Sequence, residues 1–181
     1  MTTDMADMVS LIGPKIPALR RYARALMRDR SAADDLVQDC LERAVAHWDQ
    51  RRRDSNPQAW IFTILHNLAM TRLKRAARMQ THAPLDTAED RFLGVPATQE
   101  DALRYKDLLS ALQTLPEEQR AVLLLVGVEG LSYAETSEAV GAPPGTVMSR
   151  LSRGRERLRQ IMTGDTQPGP IPNRPYLRSV K

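Results

Sequence analysis

The apolar residues of this chain recur at intervals of three and four, which is the spacing of one face of an α-helix. The pattern is clear from Ile16 to Leu26, from Val37 to Trp48 and from Trp60 to Leu68. No segment alternates apolar and polar residues for long enough to predict a half-buried strand. We therefore expect an all-α fold, with a first helix over residues 17–28.

A change of composition divides this helical pattern into two parts. Over residues 80–101 the periodicity fails, proline and glycine occur, and acidic residues dominate. A structureless run of this length is unusual inside a compact domain, so we predict a flexible acidic linker there. It would join a small helical domain of residues 10–79 to a second one of residues 102–163. The proline-rich residues 164–181 are expected to be disordered.

Local signals predict where several helices begin. Ser31, followed three residues later by an acidic residue, resembles the start of a capping box. Asn56 precedes Pro57 and is expected to cap the next long helix. Ser132 and Glu135 have the spacing of a capping box for a short helix that ends at Gly141. On the apolar face of the helix after Asn56, Trp60 is expected to be a core residue.

The segment from Leu131 to Gln160 has the pattern of a helix-turn-helix unit: a short helix, a turn and a long helix. Against the single Glu156, the long helix carries Arg150, Arg153, Arg155, Arg157 and Arg159. A solvent-exposed helix normally mixes charges of both signs, so this excess predicts DNA binding in the major groove. The net charge of +4 agrees, although codon bias explains an arginine-rich composition equally well.

An acidic strip contrasts with this basic character. Asp35, Gln38, Asp39 and Glu42 lie at helical spacing, opposite the apolar face that runs from Val37 to Trp48. A solvated face is the simplest explanation of such a strip, and a basic protein partner is the functional one.

Three ordered parts of the chain resemble the extracytoplasmic-function (ECF) sigma factors, a group within the sigma-70 family. They are residues 33–39 (ADDLVQD), residues 59–67 (AWIFTILHN), and residues 115–120 (LPEEQR) together with 130–135 (GLSYAE) and 145–147 (GTV). The resemblance implies a two-domain transcription initiation factor that binds core RNA polymerase and directs it to specific promoters. Residues 60–67, together with Leu124, Val126 and Gly127, also resemble the alphaproteobacterial subgroup that drives the general stress response, which implies an anti-sigma factor partner.

The resemblance assigns expected roles to three sets of residues. The acidic strip would bind the clamp coiled coil of the largest polymerase subunit, and the second domain would meet the polymerase flap. The first domain would melt promoter DNA and read the downstream element through Asn67, with Arg51, Arg52, Arg53, Arg72, Lys74, Arg75 and Arg78 around it. The upstream element, near minus thirty-five, would be read by Thr146, Ser149, Arg150, Ser152, Arg153 and Arg155. Met148 departs from the family because an arginine is frequent at its position.

Other classes of function are disfavoured by the sequence. The single cysteine, Cys40, excludes an internal disulfide, and the chain has neither an export signal nor the roughly 18 apolar residues of a membrane span. We therefore expect a cytoplasmic protein that does not insert into membranes. The histidines His47, His66 and His82 are scattered and no phosphate-binding glycine loop occurs, so we expect no metal, no cofactor and no enzymatic activity.

Two alternative functions remain open at this point. A sigma-like mimic would sequester an anti-sigma factor without starting transcription, although mimics of this kind carry a receiver domain for which 181 residues leave no expected room. An autonomous helix-turn-helix repressor would bind duplex DNA without polymerase and would not need the acidic strip.

Overall fold

The computed structural model describes residues 2–27, 29–52, 54–80 and 99–164, with side chains for 5–27, 29–52, 54–79 and 103–164. Within these ranges the chain is helical and has no strand, which confirms the all-α prediction. The helices are α1 (Thr2–Ile12), α2 (Ile16–Leu26), α3 (Arg30–His47), α4 (Pro57–Gln80), α5 (Gln99–Thr114), α6 (Glu117–Gly127), α7 (Tyr133–Val140) and α8 (Pro144–Thr163).

The N-terminal helices differ from the sequence-based expectation in two ways. Helix α1 begins at Thr2, before the predicted start of the first domain at residue 10, and it packs Met8 and Ile12 into the core. The predicted start of α3 at Ser31 is wrong, because Asp29 is the cap and its carboxylate accepts a hydrogen bond from the Ala32 amide at 2.6 Å. Asp and Ser are equally good caps, so the sequence alone did not distinguish the two positions.

Helices α2, α3 and α4 form the core of the N-terminal half. Their buried residues lie at the predicted spacing, and the largest fully buried side chains there are Leu19, Tyr22, Leu26, Leu36, Ile61, Phe62 and Leu65. The rings of Tyr22 and Phe62 meet edge to face, with 5.4 Å between centroids. Such a contact stabilises the core beyond the area that it buries.

Helices α5 to α8 form the C-terminal half, with α6 packed against both helices of the helix-turn-helix unit. The predicted capping box is confirmed, since the Ser132 hydroxyl accepts from the Glu135 amide and the Glu135 carboxylate accepts from the Ser132 amide. Gly141 ends α7 with φ of 62°, a conformation that favours glycine. The chain therefore turns sharply between the end of α7 and Pro144, the first residue of α8.

The two halves pack against each other along α2 and α4. From α6, the buried Arg120 donates to the carbonyl oxygens of Ala25 and Leu26 at 3.3 and 3.1 Å. These carbonyls lie in the last turn of α2, where helix carbonyls lack partners within the helix. A residue of the second half therefore caps a helix of the first, and the apolar core is continuous across the boundary.

Both ends of the segment predicted as a linker over residues 80–101 are helical in the structure. Helix α4 extends to Gln80 and α5 begins at Gln99, while residues 81–98 lie outside the described part of the chain. Of the tail predicted over residues 164–181, only Gly164 lies within the described part. Among the described helices, none combines the length and apolar character that a bilayer crossing needs.

Candidate nucleic-acid interface

The acidic strip of α3 is a solvent-accessible surface. Asp35, Gln38 and Glu42 are exposed, and the side chain of Asp39 retains 46% of its accessible surface. The Gln38 amide donates to the Glu42 carboxylate at 3.0 Å, so these two side chains lie side by side along the helix. The structure thus brings all four predicted residues onto one open face.

Arg72 connects this strip to the basic end of α4. Its guanidinium forms an ion pair with Asp39 and also donates to the Ala32 carbonyl at 3.1 Å. Lys74, Arg75 and Arg78 follow on the exposed last turns of α4. The family resemblance implied different partners for Asp39 and Arg72, whereas the structure places their charged groups in contact.

The loop between α3 and α4 is held by its own arginines. The guanidinium of Arg51 lies 4.6 Å above the Trp48 ring and donates to the carbonyls of Arg52 and Ser55 at 3.0 and 2.9 Å. Arg52 donates to the Asp54 carboxylate at 2.8 Å, a hydrogen bond that lowers the pKa of Asp54. The loop is therefore fixed by contacts within it, and the predicted site residue Arg53 lies outside the described residues.

A cavity of about 500 Å³ lies between this loop, α4 and α7. Trp60 lines this cavity, and its ring meets the Trp48 ring edge to face with 5.7 Å between centroids. Trp60 is half-buried, so the predicted core position is only partly met. Asn56 caps α4 through the Gln58 amide and donates to Glu135 of α7 at 2.6 Å. That hydrogen bond lowers the pKa of Glu135. Glu135 and Glu138 together line one side of the cavity.

Asn67 and His66 are neighbours on α4 but face opposite surroundings. Asn67 is exposed, as a residue that reads a DNA base must be. His66 is buried, and its Nδ1 forms a 2.9 Å hydrogen bond with the Tyr22 hydroxyl. Burial lowers the pKa of His66 to about 4, with the nearby positive charges of Arg150 and Lys74 adding to the effect.

Five of the six predicted upstream-reading residues lie on the outer sides of α8. Ser149, Ser152, Arg153 and Arg155 are exposed, and Thr146 is half-buried. Arg153 folds back along the helix, donating from Nε to the Ser149 carbonyl at 3.1 Å and from Nη2 to the Ser149 hydroxyl at 3.2 Å. Ser149 and Arg153 are therefore already bonded to each other on this surface.

Arg150 is the exception among the predicted residues of α8. It pairs with Glu118 of α6, retains 20% of its side-chain exposure, and faces the N-terminal half across a cavity of about 240 Å³. The cavity wall opposite Arg150 is formed by His66, Met70 and Lys74 of α4. Arg150 thus pairs within the C-terminal half beside the contact between the halves, and it does not share the exposed surface of Ser149, Ser152, Arg153 and Arg155.

Several polar residues of that contact were not predicted from the sequence. Arg21 donates to both carboxylate oxygens of Glu129 at 3.1 and 2.9 Å, and the Glu129 side chain is only 2% exposed. Gln58 donates to the Glu129 carbonyl at 2.7 Å. One signal was present in the sequence, since Arg120 lies one turn before the apolar Leu123 and Leu124 on the buried face of α6, where a charged residue requires a partner.

Comparisons with known proteins match each half of the chain to a separate family. Residues 12–66 match the family described as the Sigma2 domain of PhyR, and residues 105–158 match Sigma-70, region 4. The ECF RNA polymerase sigma factor EcfG of Rhodopseudomonas palustris is 36% identical over 150 residues, which cover 83% of this chain and 82% of that protein. The ECF RNA polymerase sigma factor SigM of Mycobacterium tuberculosis is 35% identical over 80% of this chain and 71% of its own length.

The fold agrees with the same family. The sigma factor RpoE from Bartonella quintana, solved in complex with the anti-sigma factor NepR, superposes with a TM-score of 0.74 at 34% identity, covering 88% of this chain and 98% of RpoE. Because relatives above 30% identity are matched over most of their length in sequence and in structure, the chain belongs to the ECF RNA polymerase sigma factors.

Proposed function

We propose that this chain is an alternative sigma factor that binds core RNA polymerase and directs it to a specific set of promoters. The observation that carries the proposal is the presence, in one chain, of an open acidic strip on α3 and an arginine-rich helix-turn-helix unit, matched in order by the sigma relatives. Such a factor acts by binding and not by catalysis, and it works in the cytoplasm, where polymerase and promoters are.

The acidic strip is the proposed contact for the clamp coiled coil of the polymerase. Asp35, Gln38 and Glu42 are exposed and need no rearrangement to meet a basic surface. Asp39 is paired with Arg72, so binding to polymerase would replace this ion pair by one between Asp39 and a basic residue of the polymerase. Complementary charge of this kind sets the register and the rate of association.

The loop before α4 and the exposed face of α4 are the proposed contact for the melted downstream element. The exposed amide of Asn67 has the donor and the acceptor that the edge of an unpaired base requires. Arg52, Lys74, Arg75 and Arg78 are exposed and suited to phosphates, which add affinity without sequence information. Arg53 is retained in this set, while Arg51 and Arg72 position the loop and α3 through the hydrogen bonds given above.

The packed arrangement is proposed to be that of the free protein. Glu135 and Glu138 border the loop that would hold the downstream strand, and their negative charge opposes a phosphate backbone there. Arg150 faces α4 across the smaller cavity, while its ion pair with Glu118 lies within residues 102–163. Binding of both promoter elements therefore requires residues 102–163 to separate from residues 10–79, with the segment between them as the connection.

An anti-sigma factor is the proposed regulatory partner. The similar RpoE was solved with the anti-sigma factor NepR bound, and EcfG is among the relatives. A protein that stabilises the packed arrangement would keep the loop and Arg150 covered, which prevents promoter binding by a shift of population. The general stress response of alphaproteobacteria is the proposed context.

Run-off transcription with purified core polymerase on a promoter library tests the proposal. The intact chain should yield promoter-specific transcripts, and Asp39→Arg should lower polymerase affinity at least tenfold because it places a cation against a basic surface. Asn67→Ala should keep polymerase binding and change the preferred downstream sequence. Arg43→Ala, which alters an exposed residue of α3 beside the strip, is the control for Asp39→Arg. Core binding unchanged by Asp39→Arg would refute the assigned interface.

The match of residues 12–66 to the Sigma2 domain of PhyR gives a second candidate, a sigma mimic that sequesters an anti-sigma factor. The same transcription experiment separates the two. A mimic would give no promoter-specific transcript at any core concentration, and it would restore transcription by another sigma factor that an anti-sigma factor had inhibited.

A further inference from the structure

Met148 lies where a helix-turn-helix unit reads bases. It is the fifth residue of α8, which begins at Pro144, and the first turns of the second helix in such units meet base edges in the major groove. Val147, Leu151 and Gly154 bury the inner face of α8. Met148 is one position beyond that face, and 49% of its surface is exposed.

The polar side chains next to Met148 differ in whether they already form hydrogen bonds within α8. Ser149 and Arg153 are bonded to each other, and the Ser149 hydroxyl also donates to the Thr146 carbonyl at 3.0 Å. The stripe at intervals of four and three from Met148 continues with Ser152 and Arg155, both exposed. This stripe therefore begins with an apolar side chain near the N-terminus of α8 and ends with a cation.

The stripe lines a shallow groove of about 340 Å³ between α7 and α8. Tyr133, the first residue of α7, forms the opposite wall, with 41% of its surface exposed. Arg155 lies farther along the groove, where its guanidinium can meet a phosphate as the DNA backbone leaves the groove. The N-terminal end of the groove is thus apolar, and its other end carries Arg155 beside the ion pair of Glu156 and Arg159.

Only one base presents an apolar group in the major groove, because thymine carries a C5-methyl there. A methionine side chain has no strong donor or acceptor but is flexible and polarisable, so it packs well around such a methyl. We propose that Met148, with Tyr133 as the second wall, reads a thymine methyl in the upstream promoter element. This specificity residue rests on the proposed function, which supplies the promoter DNA.

Replacing thymine by deoxyuridine tests this directly, since it removes the methyl and keeps base pairing and the O4 acceptor. On a promoter that the intact chain transcribes with core polymerase, each thymine of the upstream element would be replaced singly and holoenzyme affinity measured. One position should bind about fourfold more weakly as deoxyuridine, the effect of burying one methyl group. With Met148→Ala, the difference between thymine and deoxyuridine at that position should become smaller, because Tyr133 then remains as the larger of the two walls.

Met162→Ala is the matched control, because Met162 is equally exposed on α8 but lies at its far end. This variant should keep the preference for thymine. Met148→Arg should exchange the methyl dependence for a preference for guanine, which arginine binds through two hydrogen bonds. Since Met148 is on the surface, circular dichroism should show the same helix content for all three variants.

The inference is overturned if the intact chain tolerates deoxyuridine at every upstream position, or if Met148→Ala keeps the same dependence. Either result with promoter-specific transcripts present refutes only the role of Met148. An absence of promoter-specific transcripts from the intact chain refutes the proposed function, and the assignment of Met148 with it.

Discussion

At the scale of single residues, neighbouring positions on one helix have opposite environments. His66 is buried against Tyr22, whereas Asn67 beside it is exposed for base contact. Burial also raises the pKa of the Tyr22 hydroxyl, so this pair is uncharged in the folded protein at neutral pH. A polar hydrogen bond without charge therefore holds α2 against the helix that carries Asn67.

The low pKa of His66 makes the stability of the fold depend on pH. Its pKa is about 4 when folded and 6.5 when unfolded, so between these values the unfolded chain binds a proton that the folded chain does not. The free energy of unfolding should fall as the pH is lowered from 6.5 to 4, by at most about 1.4 kcal/mol per pH unit from this group. Urea unfolding at several pH values in this range should show that the free energy of unfolding changes less with pH for His66→Gln than for the intact chain. The exposed His47→Gln should keep the pH dependence of the intact chain. An equal pH dependence for His66→Gln and the intact chain would contradict the assignment.

At the scale of elements, the close packing of α6 and α8 positions the recognition helix. A Cβ at Gly154 of α8 would lie 3.3 Å from the backbone oxygen of Gln119 and 3.5 Å from its Cβ. The short distance leaves no room for a side chain at the helix crossing. Gly154 therefore sets the depth at which α8 sits on α6, and so the direction in which Ser152 and Met148 point.

Substitution at this crossing should be costly. Gly154→Val overpacks the contact with a backbone atom that cannot move aside, and we expect a loss of about 1–3 kcal/mol in the free energy of unfolding. Gly145→Val makes the same change on the same helix at a position where a Cβ meets nothing within 4 Å, so its effect should stay within about 0.5 kcal/mol. Denaturant unfolding measures both, and similar values for the two variants would show that the crossing is not tightly packed.

At the scale of the whole molecule, the two halves share one core and exchange polar contacts. Arg120 caps the end of α2, and Arg21 pairs with the buried carboxylate of Glu129. Only the Glu129 side of this pair is buried, and the desolvation of its carboxylate offsets much of the attraction to Arg21. These contacts therefore favour one defined packing of the halves and leave the equilibrium open to a binding partner.

The outcomes for particular residues show what the sequence could and could not predict. The capping box at Ser132 and the exposure of Asp35 follow from spacing within one helix, and both were predicted. Arg150 was expected to face DNA, but its direction depends on Glu118 and on α4, which are distant in sequence. The Arg21–Glu129 pair joins residues 108 positions apart, and helical periodicity carries no information about such a contact.

The packed halves are expected to separate when the chain binds core polymerase and a promoter. Energy transfer between dyes on cysteines introduced at Met5 and Met162, both exposed, measures this separation. The native Cys40 is buried and its pKa is raised to about 12, so it should not take up label. We predict that transfer in complexes with core polymerase that yield run-off transcripts is clearly lower than transfer in the free chain. Transcribing complexes that keep the transfer of the free chain would contradict the account.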